Sequence, residues 1–133
     1  MSVNSRLLIV LPLLLVLTVI NVSAKENPGP HIYSNVQYQE GGTDLVGTEL
    51  ELKIEGAVAT GVLRIYEGRC AEPVQVTGSV SGTALRVSGE GQGYGKIEIT
   101  GKLQRGRLDG LLRLDREKTS EKIRLKRVTK PHC

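Results

Sequence analysis

The sequence predicts an all-β fold, an antiparallel up-and-down meander of about eight strands that is closed or nearly closed into a barrel. Three observations carry this expectation. Beyond an apolar N-terminal block, apolar and polar residues alternate with period two almost to the end, and helical spacing is hard to find. Turn chemistry recurs at short intervals, in "EGGTD", "SG", "GEGQGYG" and "QRG". The stretch "VTGSVSGTALRVSG" from Val76 also aligns without gaps on the stretch that starts at Ile99, setting Gly78 on Gly101 and Leu85 on Leu108. The unit is too short and too seldom repeated for a solenoid, so it reads as neighbouring hairpins of one meander. A two-sheet β-sandwich shares the period and is the competing architecture.

Each strand follows from its alternation. Ile32, Ser34, Val36 and Tyr38 share one face of the first. Leu50, Leu52 and Ile54 share a face of the second, with Glu49, Glu51, Lys53 and Glu55 on the other. Leu63 and Ile65 mark the third, and "EGRCAEP" is a loop. Val74, Val76, Gly78 and Val80 point inward on the fourth, and Leu85, Val87 and Gly89 on the fifth. Ile97, Ile99, Gly101 and Leu103 line the sixth, and Leu108, Gly110, Leu112 and Leu114 the seventh. Ile123 and Leu125 lie in the eighth, with Lys122, Arg124 and Lys126 outward. Inward glycines relieve crowding and let a sheet bend sharply, which favours closure.

The N-terminus has a different grammar. Arg6 precedes the uncharged block "LLIVLPLLLVLTVI", and "VSA" ends at Ala24 with small residues two apart. This is the pattern of a cleaved secretory signal over residues 1–24, followed by a single β-barrel domain over 25–133. The block is about 14 residues long and holds Pro12, too short for a membrane span, so no transmembrane anchor is expected after cleavage. The expected location is secreted, and periplasmic if the protein is bacterial.

Charge is uneven along the remaining chain. Residues 25–101 carry six Lys and Arg against ten Asp and Glu, whereas 102–133 carry eleven against four. Without the predicted signal the net charge falls from +4 to +3, too small by itself to argue for nucleic acid. The local excess is distinctive: Arg107 and Arg113 share the outward face of the seventh strand, and Lys122, Arg124 and Lys126 that of the eighth. If the two strands pair, they form one positive surface suited to an acidic protein, an envelope glycolipid or another polyanion. The plainer expectation is a solubilising face, or one paired with the acidic side of the second strand.

Motifs that carry chemistry are weak. "GEGQGYG" resembles a phosphate loop in composition, but the following "KIEIT" reads as strand where a phosphate loop needs a helix. "GSVSG" has Val80 where a nucleophile elbow needs serine. His31 and His132 stand at opposite ends of the domain, and apart from the adjacent His132-Cys133 the histidines and cysteines do not cluster. The sequence is therefore read as non-enzymatic, with no catalytic residue, cofactor or metal assigned. Small-molecule pockets favour aromatic walls, and this chain has four Tyr, no Phe and no Trp. Tyr38 is the one candidate to line a cup.

"SNVQYQEGGTDLVGTELELKI", "SGEGQGYGKIEITG" and "IRLKRV" resemble segments of small uncharacterised exported bacterial β-barrel proteins. The layout is similar to calycin-like barrels of the lipocalin and avidin type. The resemblance implies the barrel; the families' ligand sites rest on tryptophans that this chain lacks, so their ligands are not carried over. The expected function is surface recognition of a protein or polyanionic envelope partner, as an inhibitor or accessory factor. The alternatives are a small-molecule carrier using the barrel interior and a structural envelope protein.

Cys70 and Cys133, the only cysteines, are expected to form a disulfide in an oxidising compartment. Topology opposes this. Five strands separate them, and an odd number in a meander puts the Cys70 loop at one end of the barrel and the exit to Cys133 at the other. A strand of about eight residues spans roughly 26 Å, and the tail "TKPHC" reaches only about 17 Å. Three resolutions stay open: the tail folds back along a short or tilted eighth strand, the strand count is off by one, or the two thiols are not joined.

Overall fold

The structure, a computed structural model, describes residues 30–133; the predicted leader, 1–24, lies outside them. The described residues form nine strands and no helix: β1 (His31–Ser34), β2 (Gln37–Tyr38), β3 (Leu45–Glu55), β4 (Val58–Gly68), β5 (Val74–Ser81), β6 (Ala84–Gly91), β7 (Gly95–Gln104), β8 (Arg107–Leu114) and β9 (Thr119–Val128). From β3 to β9 each strand pairs antiparallel with the next, and β1 pairs with both β9 and β3, closing an eight-stranded barrel with β2 as an extra short strand. The predicted first strand is thus two pieces. They break at Asn35, whose Oδ1 accepts the Thr48 N–H at 2.7 Å in place of a backbone carbonyl.

Alternation places the core as predicted from the second strand to the eighth. Leu50, Leu52, Leu63, Val74, Val76, Leu85, Val87, Ile97, Ile99, Leu108, Leu112, Ile123 and Leu125 fill the interior as one cluster. Burying each such side chain contributes about 1.5–3 kcal/mol relative to leaving it in water. The inward glycines sit where strands approach closely. Gly101 faces Gly110 across the β7–β8 pair, and a Cβ on Gly101 would lie against Asp109 O and 2.9 Å from Gly110 Cα.

One face is corrected. Tyr33, opposite Leu50, is the inward residue of β1 and belongs to the core. Ile32, Ser34, Val36 and Tyr38 therefore share the outer side, and Tyr38 does not line a cup but is 66% exposed. Ile32 and Val36 are apolar because this outer side is itself covered. Val36 packs with Leu45, Tyr66 and Ala71 in a second, smaller cluster outside the barrel.

What covers it is the C-terminal tail, and the register explains how. Val128 pairs with Ile32, and Ile32 with Glu51. The end of β9 thus stands level with the middle of β3, one outward position from Glu49. Closing a barrel requires tilted, staggered strands, so counting strands alone misplaces the end of β9. The count of five strands between the cysteines holds. The tail turns back over the outer face until the His132 N–H lies 3.2 Å from Glu49 Oε1, and Cys133 joins Cys70 with Cα atoms 5.9 Å apart.

Candidate functional site

β8 and β9 pair along their whole facing length, which brings all five predicted cations onto one outer face. Arg107 stands opposite Lys126, Asp109 opposite Arg124, Leu111 opposite Lys122 and Arg113 opposite Ser120. Hairpin connection enforces this register, since the Asp115–Lys118 turn that joins the two strands fixes which residues meet. Among the described residues, Asp109 is the one carboxylate at an outward position of the two strands. It binds Arg107 Nε at 2.9 Å and Arg124 Nε at 3.0 Å. Glu98 of β7 lies opposite Arg113 but is engaged by Arg86 at 3.2 Å. Arg113, Lys122 and Lys126 have no carboxylate partner among the described residues.

The acidic side of β3 does not neutralise this face, because β1 lies between them. Its carboxylates have their own partners: Glu51 meets Arg64 at 3.4 Å and Glu55 meets Lys53 at 3.0 Å. The cationic face also holds an apolar spot. Leu111 is 41% exposed, at a shallow hollow of about 460 Å³ formed with Asp109, Gly110, Lys122, Ile123 and Arg124.

Glu49 is the site that period two could not show. Alternation puts it outward, where a carboxylate ordinarily meets water. It is instead fully buried beneath the tail. Tyr66 Oη donates to Glu49 Oε1 at 3.2 Å, His132 Nδ1 lies 2.6 Å from Oε2, and Arg64 Nη1 is 4.0 Å from Oε1. Arg64 Nη1 is itself buried without a hydrogen-bond partner, held by charge between Glu49 and Glu51. Burial, then the charge of Glu49, pushes the Tyr66 phenol up to about 12. The arrangement pins the tail beside the disulfide. The adjacent His132-Cys133 pair was its only trace in sequence.

A third feature occupies one mouth of the barrel. A hollow of about 810 Å³ lies between the β4–β5 connection and the β6–β7 turn. Glu67, Arg69, Glu72, Glu90 and Tyr94 are among its walls. Burial raises the Tyr94 phenol to about 12, with a hydrogen bond to Glu67 adding to the effect. Among the described residues, no three His, Cys, Asp or Glu side chains converge as metal ligands would.

No protein-family model, no curated protein and no solved structure matches the chain.

Proposed function

We propose that the protein is exported and acts as a non-enzymatic binding protein, holding an anionic partner on the outer face of β8 and β9. The partner is an acidic protein or a polyanionic envelope component. The observation that carries this reading is the register of β8 on β9. It gathers Arg107, Arg113, Lys122, Arg124 and Lys126 around a single carboxylate, with three of them unpaired among the described residues. The Cys70–Cys133 disulfide fits an oxidising compartment, where exported proteins reside.

Charge reversal tests the reading. Wild-type protein should be retained on an anionic matrix at low salt and elute as salt rises, because exposed charges are screened over about 10 Å at 0.1 M. The double variant Arg113→Glu and Arg124→Glu should flow through. Equal retention of variant and wild type would return the face to solubilisation.

A second reading, a small-molecule carrier, draws on the hollow at the barrel mouth. The aliphatic packing of the interior leaves that mouth, not the barrel centre, as the place for a ligand.

A further inference from the structure

β9 is fully paired on one side only. β8 pairs with it from Thr119 to Lys126, whereas β1 pairs with it only at Lys126, Arg127 and Val128. β2, which prolongs the line of β1, pairs with β3 alone. Among the described residues, the barrel is therefore unzipped beside the first half of β9.

The backbone directions along this seam can be worked out. Successive residues of an antiparallel strand turn their N–H and C=O groups to opposite sides. The Arg127 N–H donates to Gly106 O at 2.9 Å, on the β8 side. Lys126 and Val128 thus serve β1, and by the same alternation Ser120, Lys122 and Arg124 turn their backbone groups to the open seam. On the opposite lip, the Val36 N–H is satisfied locally by Ser34 Oγ at 3.1 Å. No such cap closes Ser120, Lys122 or Arg124 among the described residues.

A row of free strand groups is a template for another strand. The side chains on this row decide which strand fits. Lys122 and Arg124 are exposed and project from the outer face of the same residues whose backbone lines the seam, and Arg124 shares only its Nε with Asp109. A second copy of β9 would set like charges side by side, which is unfavourable. A strand with carboxylates at every second position would set opposite charges there. Its intervening residues would face the barrel side, beside the buried Ile123 and Leu125.

We infer that the free edge of β9 accepts an extended acidic segment of a partner protein as an added strand. The segment's carboxylates alternate along the outer side, next to Lys122 and Arg124, and its backbone pairs with Ser120, Lys122 and Arg124. The inference rests on the proposed binding role of the cationic face and specifies the partner as a protein. It uses a known mode of recognition, in which backbone hydrogen bonds give affinity and alternate side chains give specificity.

The test uses the full protein and a fluorescent peptide of about ten residues alternating glutamate and valine. Its control has the same sequence with every second amide N-methylated, in either phase, which keeps the charge but removes edge donors. Binding is read by fluorescence anisotropy, and protection of individual amides by hydrogen exchange. The unmodified peptide should bind, and one methylated phase should bind roughly tenfold or more weakly, the factor that one or two lost hydrogen bonds carry. Exchange at Ser120, Lys122 and Arg124 should slow in the complex. Equal binding of all the peptides would overturn strand addition and leave a cationic face that reads charge alone. No peptide binding, in a protein still retained on the anionic matrix, would overturn the inference and leave the polyanion reading standing. Loss of both would overturn the two together.

Discussion

The outer faces of β3–β4 and β8–β9 begin from the same sequence grammar and end as opposites. Both alternate charged residues outward with aliphatic residues inward. On β3–β4 the tail returns over the face, and Glu49, Tyr66 and Arg64 become an enclosed network tied to the disulfide. On β8–β9 nothing among the described residues lies over the face, and Lys122, Arg124 and Lys126 stay in water. The difference teaches that alternation assigns a side of the sheet, not an environment. A charge on the outer side becomes structural once a second layer of chain covers it.

Breaking the cover should have the largest effect. Replacing Cys70 and Cys133 by serine should destabilise the protein by about 4 kcal/mol on the chain-entropy view, given the 63-residue separation. Chemical denaturation measures this, and hydrogen exchange should rise in β3 and β4 before β8 and β9. Uniform acceleration across all strands would show that the tail is not a local cover.

A smaller loss should follow from Glu49→Ala. It strands the Tyr66 hydroxyl and the His132 amide and leaves Arg64 with Glu51 alone, at a cost of about 3 kcal/mol. Arg124→Ala on the open face should stay within about 0.5 kcal/mol. Comparable losses in the two variants, read from denaturation midpoints, would erase the contrast between the faces.

A weaker, pH-dependent effect should appear in alkaline solution. Tyr66 and Tyr94 are both raised to about 12 by burial and neighbouring carboxylates, above the ordinary phenol near 10. The folded state therefore keeps protons that the unfolded state loses. The stability this contributes is present below pH 10 and is lost as pH rises from 10 through 12. Thermal unfolding across that window, with Tyr66→Phe beside the wild type, should show a shallower alkaline loss in the variant. Identical profiles would mean that the Tyr66 phenol does not titrate against the covered face.

The core and the cationic half of this contrast are legible in the sequence, and the reason is period two. Leu50, Val76, Val87, Ile99, Leu112 and Leu125 point inward where alternation put them, because a half-buried strand allows one register only. The cationic face was legible for the same reason. Glu49 was not, because its burial depends on a tail returning from far along the chain, and that return depends on the stagger of a closed barrel. Tyr38 was misplaced because Ile32 and Val36 look like interior residues, and they are buried, but against an outer layer. The open seam was not legible either. Unpaired backbone leaves no mark in side-chain alternation, and Asn35, where the first strand breaks, does not by its identity show that β9 is left without a neighbour.

The most direct test of the two faces is to titrate isotope-labelled protein with linear polyphosphate and follow the backbone amide resonances. Shifts should concentrate at Arg107, Arg113, Lys122, Arg124 and Lys126 and fade as salt is added, while Glu49, Arg64 and Tyr66 stay still. Shifts centred on Arg64 and the tail, or an absence of shifts on β8 and β9, would contradict the assignment of one face to structure and the other to binding.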